Sequence, residues 1–294
     1  MQIGPGITFG PNITINPPAG APPPSYTTSG LVLYLDAGNI NSYDVTANAN
    51  AWLDLSGTNN HANVRLIGSS TPGGNMAATY IDNTGGDHEY EGWEVDYATN
   101  YFDSGIAKIE PSSTLRSNTA FTWEILVQIT AGSARKVWLN IGGTTGVRLG
   151  AKQSATGDFL GTGNFIELSA NQQTTANVYY TGIDEINVDD SGGWAHIVGT
   201  YDKTNLKLYV NTNLSTQAAS NSNINYVGTH PLWIGGMNAS DPATYPDAFG
   251  GGARTTNDNL AVVRMYNRAL NSTEITNNYN QLAARYSLTT TLTL

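Results

Sequence analysis

Between His88 and Asp103 the chain reads HEYEGWEVDYATNYFD, where Tyr90, Trp93, Tyr97, Tyr101 and Phe102 are interleaved with Glu89, Glu91, Glu94, Asp96 and Asp103. Aromatic rings stack on the apolar faces of sugars and serve as rigid interface anchors, and carboxylates accept hydrogen bonds from hydroxyl groups. Tyr90, Trp93, Glu94, Asp96, Tyr97 and Tyr101 are therefore the candidate ligand-binding residues. The same run has a structural reading, in which its Tyr, Trp and Val pack into a core as a strand pair with the acids at outer positions. Other chemistries find less in the chain. The histidines at 61, 88, 196 and 230 form no HExxH and no close pair, so no zinc site is indicated. His196 stands inside the strand-like WAHIVGTYD, where a hydrogen-bonded structural role is expected. No G-x-S-x-G surrounds a serine, and GGGAR at 250–254 lacks the Lys-Ser/Thr of a phosphate loop and reads as a turn. The acid pairs Glu89 with Glu91 and Asp189 with Asp190 read as solvated loop charges.

The elements that would hold such residues are strands. In NLKLYVN, Leu206, Leu208 and Val210 alternate with Lys207 and Tyr209, the period of a half-buried strand. FTWEILVQI repeats the pattern, with Phe121, Trp123, Ile125, Val127 and Ile129 on one face and Thr122, Glu124, Leu126 and Gln128 on the other. LAVVRMY, from Leu260 to Tyr266, is a further run of this kind. The period then changes. Asn271 and Glu274 have the spacing of a capping box, and Ile275, Tyr279, Leu282 and Tyr286 follow at helical intervals. One short helix closes an otherwise β chain.

Length and composition set the outer bounds. A chain of 294 residues with strand signals from Leu31 to Tyr266 and no linker between them reads as one large all-β domain. With no cysteine, neither disulfides nor thiolate chemistry are available to it. Its 23 acidic and 13 basic residues, net −10, argue against nucleic acid or an anionic membrane as partner, because phosphate binding needs clustered Lys and Arg. No apolar run approaches the roughly 18 residues that span a bilayer. The opening MQIGPGITFG lacks the basic and apolar regions of a signal peptide.

The N-terminal stretch differs sharply from the rest. Residues 1–35 carry no charge, and the first 28 hold seven of the twelve prolines. IGPGIT (Ile3 to Thr8) is followed by FGPNIT (Phe9 to Thr14) and then Ile15, a short repeat whose apolar residues cannot make a core alone. Ile3, Ile7, Phe9, Ile13 and Ile15 are the candidate docking residues of an arm. A disordered Pro-rich tail is the plainer alternative to that arm, although such tails are usually richer in charge and poorer in Ile and Phe, and PPAGAPPPSYTT (Pro17 to Thr28) reads as a semi-rigid polyproline spacer. The division expected is an arm and spacer at 1–28, a domain at 29–286 and a tail at 287–294, in which TTTLTL either adds to a sheet edge or frays.

The succession WAHIVGTYDKTNLKLYVNTNLST (Trp194 to Thr216), LWIGG (Leu232 to Gly236) and NLAVVRMYNRALNSTEITNNYNQLAARY (Asn259 to Tyr286) resembles the laminin-G-like branch of the concanavalin-A-like jelly rolls. The resemblance implies an all-β, two-sheet antiparallel jelly-roll sandwich with one short C-terminal helix and an extended N-terminal arm. It points to recognition of glycans or proteins before catalysis. Hydrolases on this jelly roll carry E-x-D-x-x-E or E-x-D-x-E on a strand, with both Glu on one face at the roughly 5 Å spacing of a retaining mechanism. Here EVDYAT offers Glu94 and Asp96 but places Ala98 or Thr99 where the second Glu should be, so no catalytic residue is assigned. Many relatives hold a calcium ion through Asp carboxylates and loop carbonyls. DNTGGDHE, with Asp82 and Asp87, offers such groups, as do Asp241, Asp247 and Asp258, but none fits the twelve-residue EF-hand loop. No cofactor is required, and Asp next to Gly, Pro or Asn is also an ordinary turn former. VNTNL at 210–214 departs from the family's Gly-bearing hairpin.

Openings of the IGPGITFGPNITI type, joined to a domain beginning LVLYLDAGN, are similar to structural proteins of tailed bacteriophages. That resemblance implies a non-enzymatic virion protein, released by lysis, that displays a lectin-like domain for attachment to the host surface or its glycans. The expected partners are other virion proteins through the arm and a host-surface glycan. A homo-oligomer is also expected, a trimer wound through its arms suiting the uncharged repeat. Two further readings are capsid decoration without a specific ligand and a glycan hydrolase that depends on Glu94.

Overall fold

The structure, a computed structural model, describes residues 25–39, 41–43, 51–64, 77–81, 92–96, 107–128, 136–141, 146–153, 164–171, 178–183, 194–218, 223–224, 226, 230–235, 258–286 and 288. In chain order the strands are β1 (Leu31–Asp36), β2 (Ala51–Trp52), β3 (Ala62–Val64), β4 (Ala77–Ile81), β5 (Gly92–Asp96), β6 (Ala107–Ile109), β7 (Phe121–Gln128) and β8 (Lys136–Ile141). There follow β9 (Val147–Gln153), β10 (Asn164–Asn171), β11 (Val178–Ile183), β12 (Trp194–Tyr201), β13 (Asn205–Val210), β14 (Asn213–Ala218), β15 (Leu232–Ile234) and β16 (Asn259–Tyr266), and then one helix, α1 (Ser272–Tyr286).

The strands form two antiparallel sheets. The first runs β14-β13-β12-β7-β16-β5-β4, with β1 also paired to β16; the second runs β11-β10-β9-β8-β15-β6-β3-β2. The jumps in chain order between neighbours are those of a jelly roll, and the pairing of β1 with β16 joins the two ends of the domain. The expected fold class is the one found.

The core lies between the sheets. Trp123, Ile125 and Val127 of β7, Ile197 and Tyr201 of β12, Leu206, Leu208 and Val210 of β13, and Val263 and Met265 of β16 meet Leu139, Ile141, Leu149, Leu168, Leu232 and Ile234 of the second sheet. Each such side chain, fully removed from water, contributes roughly 1.5–3 kcal/mol before chain entropy is counted. At one point the sheets come closer than side chains allow. A Cβ on Gly199 of β12 would stand 2.7 and 2.8 Å from the two terminal carbons of Leu168 on β10, so glycine is required there by space.

The outer face of the first sheet departs from the half-buried pattern read in the sequence. Thr122, Glu124 and Leu126 are as buried as their inward neighbours, and so is the whole of β16 from Leu260 to Tyr266. The reason is α1. Its Leu282 and Tyr286 pack on Tyr34, Leu126 and Val262, and its Ile275 packs with Val198, Tyr209, Tyr266 and Leu270. The helix starts where the capping box placed it: the Asn271 amide donates to Glu274 Oε2 at 2.9 Å and the Glu274 amide to Asn271 Oδ1 at 3.0 Å. Arg268 adds a 2.6 Å ion pair to the same carboxylate.

The turn between β13 and β14 is a tight two-residue loop despite its missing glycine. Val210 pairs with Asn213, and Asn211 and Thr212 both take left-handed backbone angles, φ 43° and 73°, as a primed hairpin turn requires. Asn tolerates that region; Thr does so only because the strands on either side hold it. No helix among the described residues is long and apolar enough to cross a membrane. The arm residues Ile3, Ile7, Phe9, Ile13 and Ile15 and the tail from 289 lie outside the described residues.

Gly199→Ala is expected to force Leu168 off its position and lower stability by about 1–3 kcal/mol, read as a shift of the urea midpoint with unchanged slope.

Candidate functional site

Of the residues singled out in the acidic-aromatic run, Trp93, Glu94 and Asp96 fall on β5, and Tyr90, Tyr97 and Tyr101 lie outside the described residues, as do Asp82 and Asp87. Trp93 stands opposite Leu260 of β16 on one side and Tyr80 of β4 on the other. Glu94 stands opposite Thr79 and Asp96 opposite Ala77. Residues 92–96 of the run are thus a strand of the first sheet.

The described carboxylates that are buried, Asp36, Asp54, Glu124 and Asp258, are all engaged by donors of the fold. Asp54 accepts the backbone amides of Tyr34, Ser56 and Asn60 at 2.9–3.0 Å and the hydroxyls of Ser56 and Thr58. Asp258 accepts the Trp138 indole N–H at 2.7 Å. Asp36 is gripped by both terminal nitrogens of Arg285 at 2.7 and 3.0 Å and by the Tyr34 hydroxyl at 2.9 Å. Burial pushes the Tyr34 phenol up to about 12, which keeps it a donor.

Glu124 is the centre of this arrangement. Its Oε1 faces Arg264 Nη1 at 2.9 Å and His196 Nε2 at 3.0 Å, and its Oε2 accepts Asn278 Nδ2 at 2.7 Å. All four residues are fully buried. Burial alone would raise the Glu124 carboxyl, but the Arg264 charge and the bonds from His196 and Asn278 outweigh it and hold the group below the usual carboxylate range. Burial likewise opposes the Arg264 charge, and Glu124 more than restores it. His196 takes the structural role read from the sequence: its ring is fixed by Glu124 and its backbone amide by Asn211 Oδ1 at 2.8 Å. A carboxylate so enclosed cannot reach substrate, so Glu124 and His196 position sheet and helix and do no chemistry.

A different polar constellation lies on the far side of the sandwich. In the second sheet Asn63 stands opposite Lys108, Lys108 opposite Trp233, Trp233 opposite Asn140, Asn140 opposite Arg148 and Arg148 opposite Ser169. Directly opposed residues share a face, and the strand neighbours Ile109, Leu232, Ile234, Ile141, Val147, Leu149, Leu168 and Ala170 belong to the core. The row therefore crosses the outer face at one residue per strand, about 4.8 Å apart. The Lys108 ammonium lies 5.8 Å from the centre of the Trp233 ring and 2.9 Å from Glu110. Trp233 and Asn140 are buried at the middle of the row, Lys108 and Arg148 are partly exposed, and Asn63 is exposed. Ser169 is buried as well, so the groups of the row that reach solvent are the Asn63 amide and the Lys108 and Arg148 cations, which can bond hydroxyls and include no nucleophile paired with a base. The sequence hid this row because its members come from six strands whose register no local pattern reports. The trace it left is a polar or aromatic residue between two core aliphatics, Trp233 in LWI and Asn140 in LNI.

Two antiparallel sheets closed around one core, a helix on one outer face and a polar row on the other define a lectin-like jelly roll. Residues 103–276 match the laminin-G-type family model described as the concanavalin A-like lectin/glucanases superfamily, and the chain belongs to that superfamily. Among solved structures it is similar to the binding domain of Paraclostridial Mosquitocidal Protein 1, with a TM-score of 0.54 and 13% identity over 85% of this chain and 52% of that one. It is also similar to the binding domain of Botulinum Neurotoxin DC in complex with SialylT (TM-score 0.51, 13% identity, 87% and 52% covered). The receptor binding domain of the botulinum neurotoxin C/D mosaic serotype gives a TM-score of 0.51 at 14% identity, with 86% and 51% covered. The chain spans about half the length of these solved chains, and at such identities the likeness is one of fold. Comparison with curated protein sequences gives no match.

Because Glu124 and Glu274 are both held below the ordinary carboxylate range, their contribution to stability is present above the unfolded value of about 4.3 and is lost as pH falls through the lower folded value. Unfolding free energy measured from pH 7 to pH 2 is expected to drop in that acid window, with a shallower drop in Glu124→Gln. At pH 7, Arg264→Met leaves Glu124 buried without its cation and should cost about 3–5 kcal/mol.

Proposed function

We propose that this chain is a non-enzymatic recognition protein: a lectin-like domain carried on a tailed-phage particle, held there by its N-terminal arm and presented to a glycan of the host surface. The observation that carries the non-enzymatic reading is the commitment of each described buried carboxylate to donors of the fold, in a superfamily whose hydrolases need two free acids. The sequence points the same way, since EVDYAT lacks the second Glu. Two sets of residues suit a hydroxyl-rich ligand: the acidic-aromatic composition of 88–103 and, on the second sheet, the exposed Asn63 and the partly exposed Lys108 and Arg148.

The attachment half of the proposal rests on the uncharged IGPGIT and FGPNIT hexads, whose apolar residues need a neighbouring chain to cover them. A trimer wound through these arms, matching the symmetry of its mount, is the assembly that fits them. No cofactor is required in this reading, and Asp82 and Asp87 are the residues that would hold a structural calcium.

Full-length protein incubated with a panel of bacterial-surface polysaccharides is expected to bind at least one without releasing reducing ends, and Trp93→Ala or Lys108→Ala to weaken that binding by tenfold or more. Release of reducing ends that Glu94→Ala abolishes would overturn the reading in favour of hydrolysis. Antibody against the domain is expected to label purified phage particles at tail or fibre, and deletion of residues 1–28 to remove the protein from particles.

A further inference from the structure

The foot of the arm is gripped by the domain at almost every residue. The Tyr26 ring lies 4.8 Å from the Arg264 guanidinium and 4.8 Å from the Tyr34 ring, and Tyr34 itself lies 4.6 Å from the same guanidinium. The Thr27 amide donates to Asn278 Oδ1 at 2.8 Å, the side chain whose amide group also holds Glu124 and the Tyr266 hydroxyl. The Ser29 carbonyl accepts Arg268 Nε at 2.9 Å, and the Gly30 carbonyl accepts the Asn267 amide at 2.9 Å. Gly30 turns at φ 76°, and a Cβ there would stand 2.9 Å from Asn267 Oδ1 and 3.0 Å from Arg268 Cγ, so the chain lies against the β16–α1 corner as closely as backbone can. These partners all belong to β1, β16, α1 or the corner that joins the last two.

We infer that residues 26–30 are a clasp that fixes the arm to the α1-bearing side of the sandwich, so that this side faces the arm's anchor and the exposed Asn63 and partly exposed Lys108 and Arg148 of the second sheet face outward, toward the glycan of the recognition reading. A spacer joined to a freely turning domain would present every face equally. A clasp selects one. Tyr26 closes over the charge of Arg264, whose burial with Glu124 the fold needs, and the remaining arm, residues 1–24, has to leave from Ser25 on this side. The polar row lies across the core, with the roughly 10 Å separation of packed sheets between the two faces. The outward assignment rests on the recognition reading above; the clasp does not.

The absence of cysteine allows a direct test in the full chain. Spin labels at Ser25→Cys with Asn280→Cys on α1, and at Ser25→Cys with Asn63→Cys on the row, diluted with unlabelled chain, report two distances by pulsed electron resonance. Both distributions should be narrow, with Ser25 nearer Asn280 than Asn63. Adding Tyr26→Ala and Thr27→Pro should broaden both while the Asn63–Asn280 distance stays unchanged, which separates loss of the clasp from loss of the fold. Broad Ser25 distributions in the otherwise unaltered chain, or a Ser25 nearer Asn63, would overturn the inference. No ligand is present in the measurement, so narrow distances combined with failure to bind polysaccharide would remove the glycan reading alone and leave the clasp.

Discussion

A single buried carboxylate organises this molecule. Glu124 lies at the centre of the first sheet with no water contact, and an isolated charge there would cost several kcal/mol, on the order of what a domain has to spare. The charge persists because Arg264 of β16, His196 of β12 and Asn278 of α1 converge on its two oxygens. Those three partners come from sequence positions 72 to 154 residues away, so the bond set can form only when the neighbouring strands are in register and the helix is seated. An apolar cluster would tolerate a slip of the helix. This one would leave a donor or a charge unmatched.

The consequence is a sandwich with two unlike outer faces. One is closed by α1, by the Asp36–Arg285 pair and by the foot of the arm at Tyr26 and Thr27, which rests on the same Arg264 and Asn278 that hold Glu124. The other carries Asn63, Lys108 and Arg148 toward solvent, in direct register with the buried Trp233, Asn140 and Ser169. Stability and orientation are thus linked through shared residues: the groups that neutralise Glu124 also fix where the arm departs.

Much of the architecture was legible from periodicity. β7, β13 and β16 were plain in the alternation of Trp123, Ile125 and Val127, of Leu206, Leu208 and Val210, and of Leu260 to Tyr266. The helix was plain in Asn271 with Glu274 and in the spacing of Ile275, Tyr279, Leu282 and Tyr286. Burial of the alternate face was not, because alternation reports one covered side and cannot say that a helix whose Asn278 lies 154 residues beyond Glu124 will cover the other; Glu124, on the face opposite Trp123 and Ile125, finds its cation Arg264 at a separation of 140 residues. Tyr26 was read as spacer because a Pro-rich stretch precedes it, and nothing local shows that its ring will find Arg264. The acidic-aromatic run was conspicuous by composition, and the structure sets its Trp93, Glu94 and Asp96 on β5. The row from Asn63 to Ser169 left almost no local trace, since register between distant strands is a property of the folded sheet.

The central claim is that the domain is held in one orientation, with the α1-bearing sheet toward the anchor and the second sheet outward. Cryo-electron microscopy of the assembled full-length protein reads this directly. The account predicts well-defined domains arranged about converging arms, each with α1 on the inner side and Asn63, Lys108 and Arg148 on the outer surface. Domains smeared around their arms, or seated with the second sheet inward and α1 exposed, would contradict it.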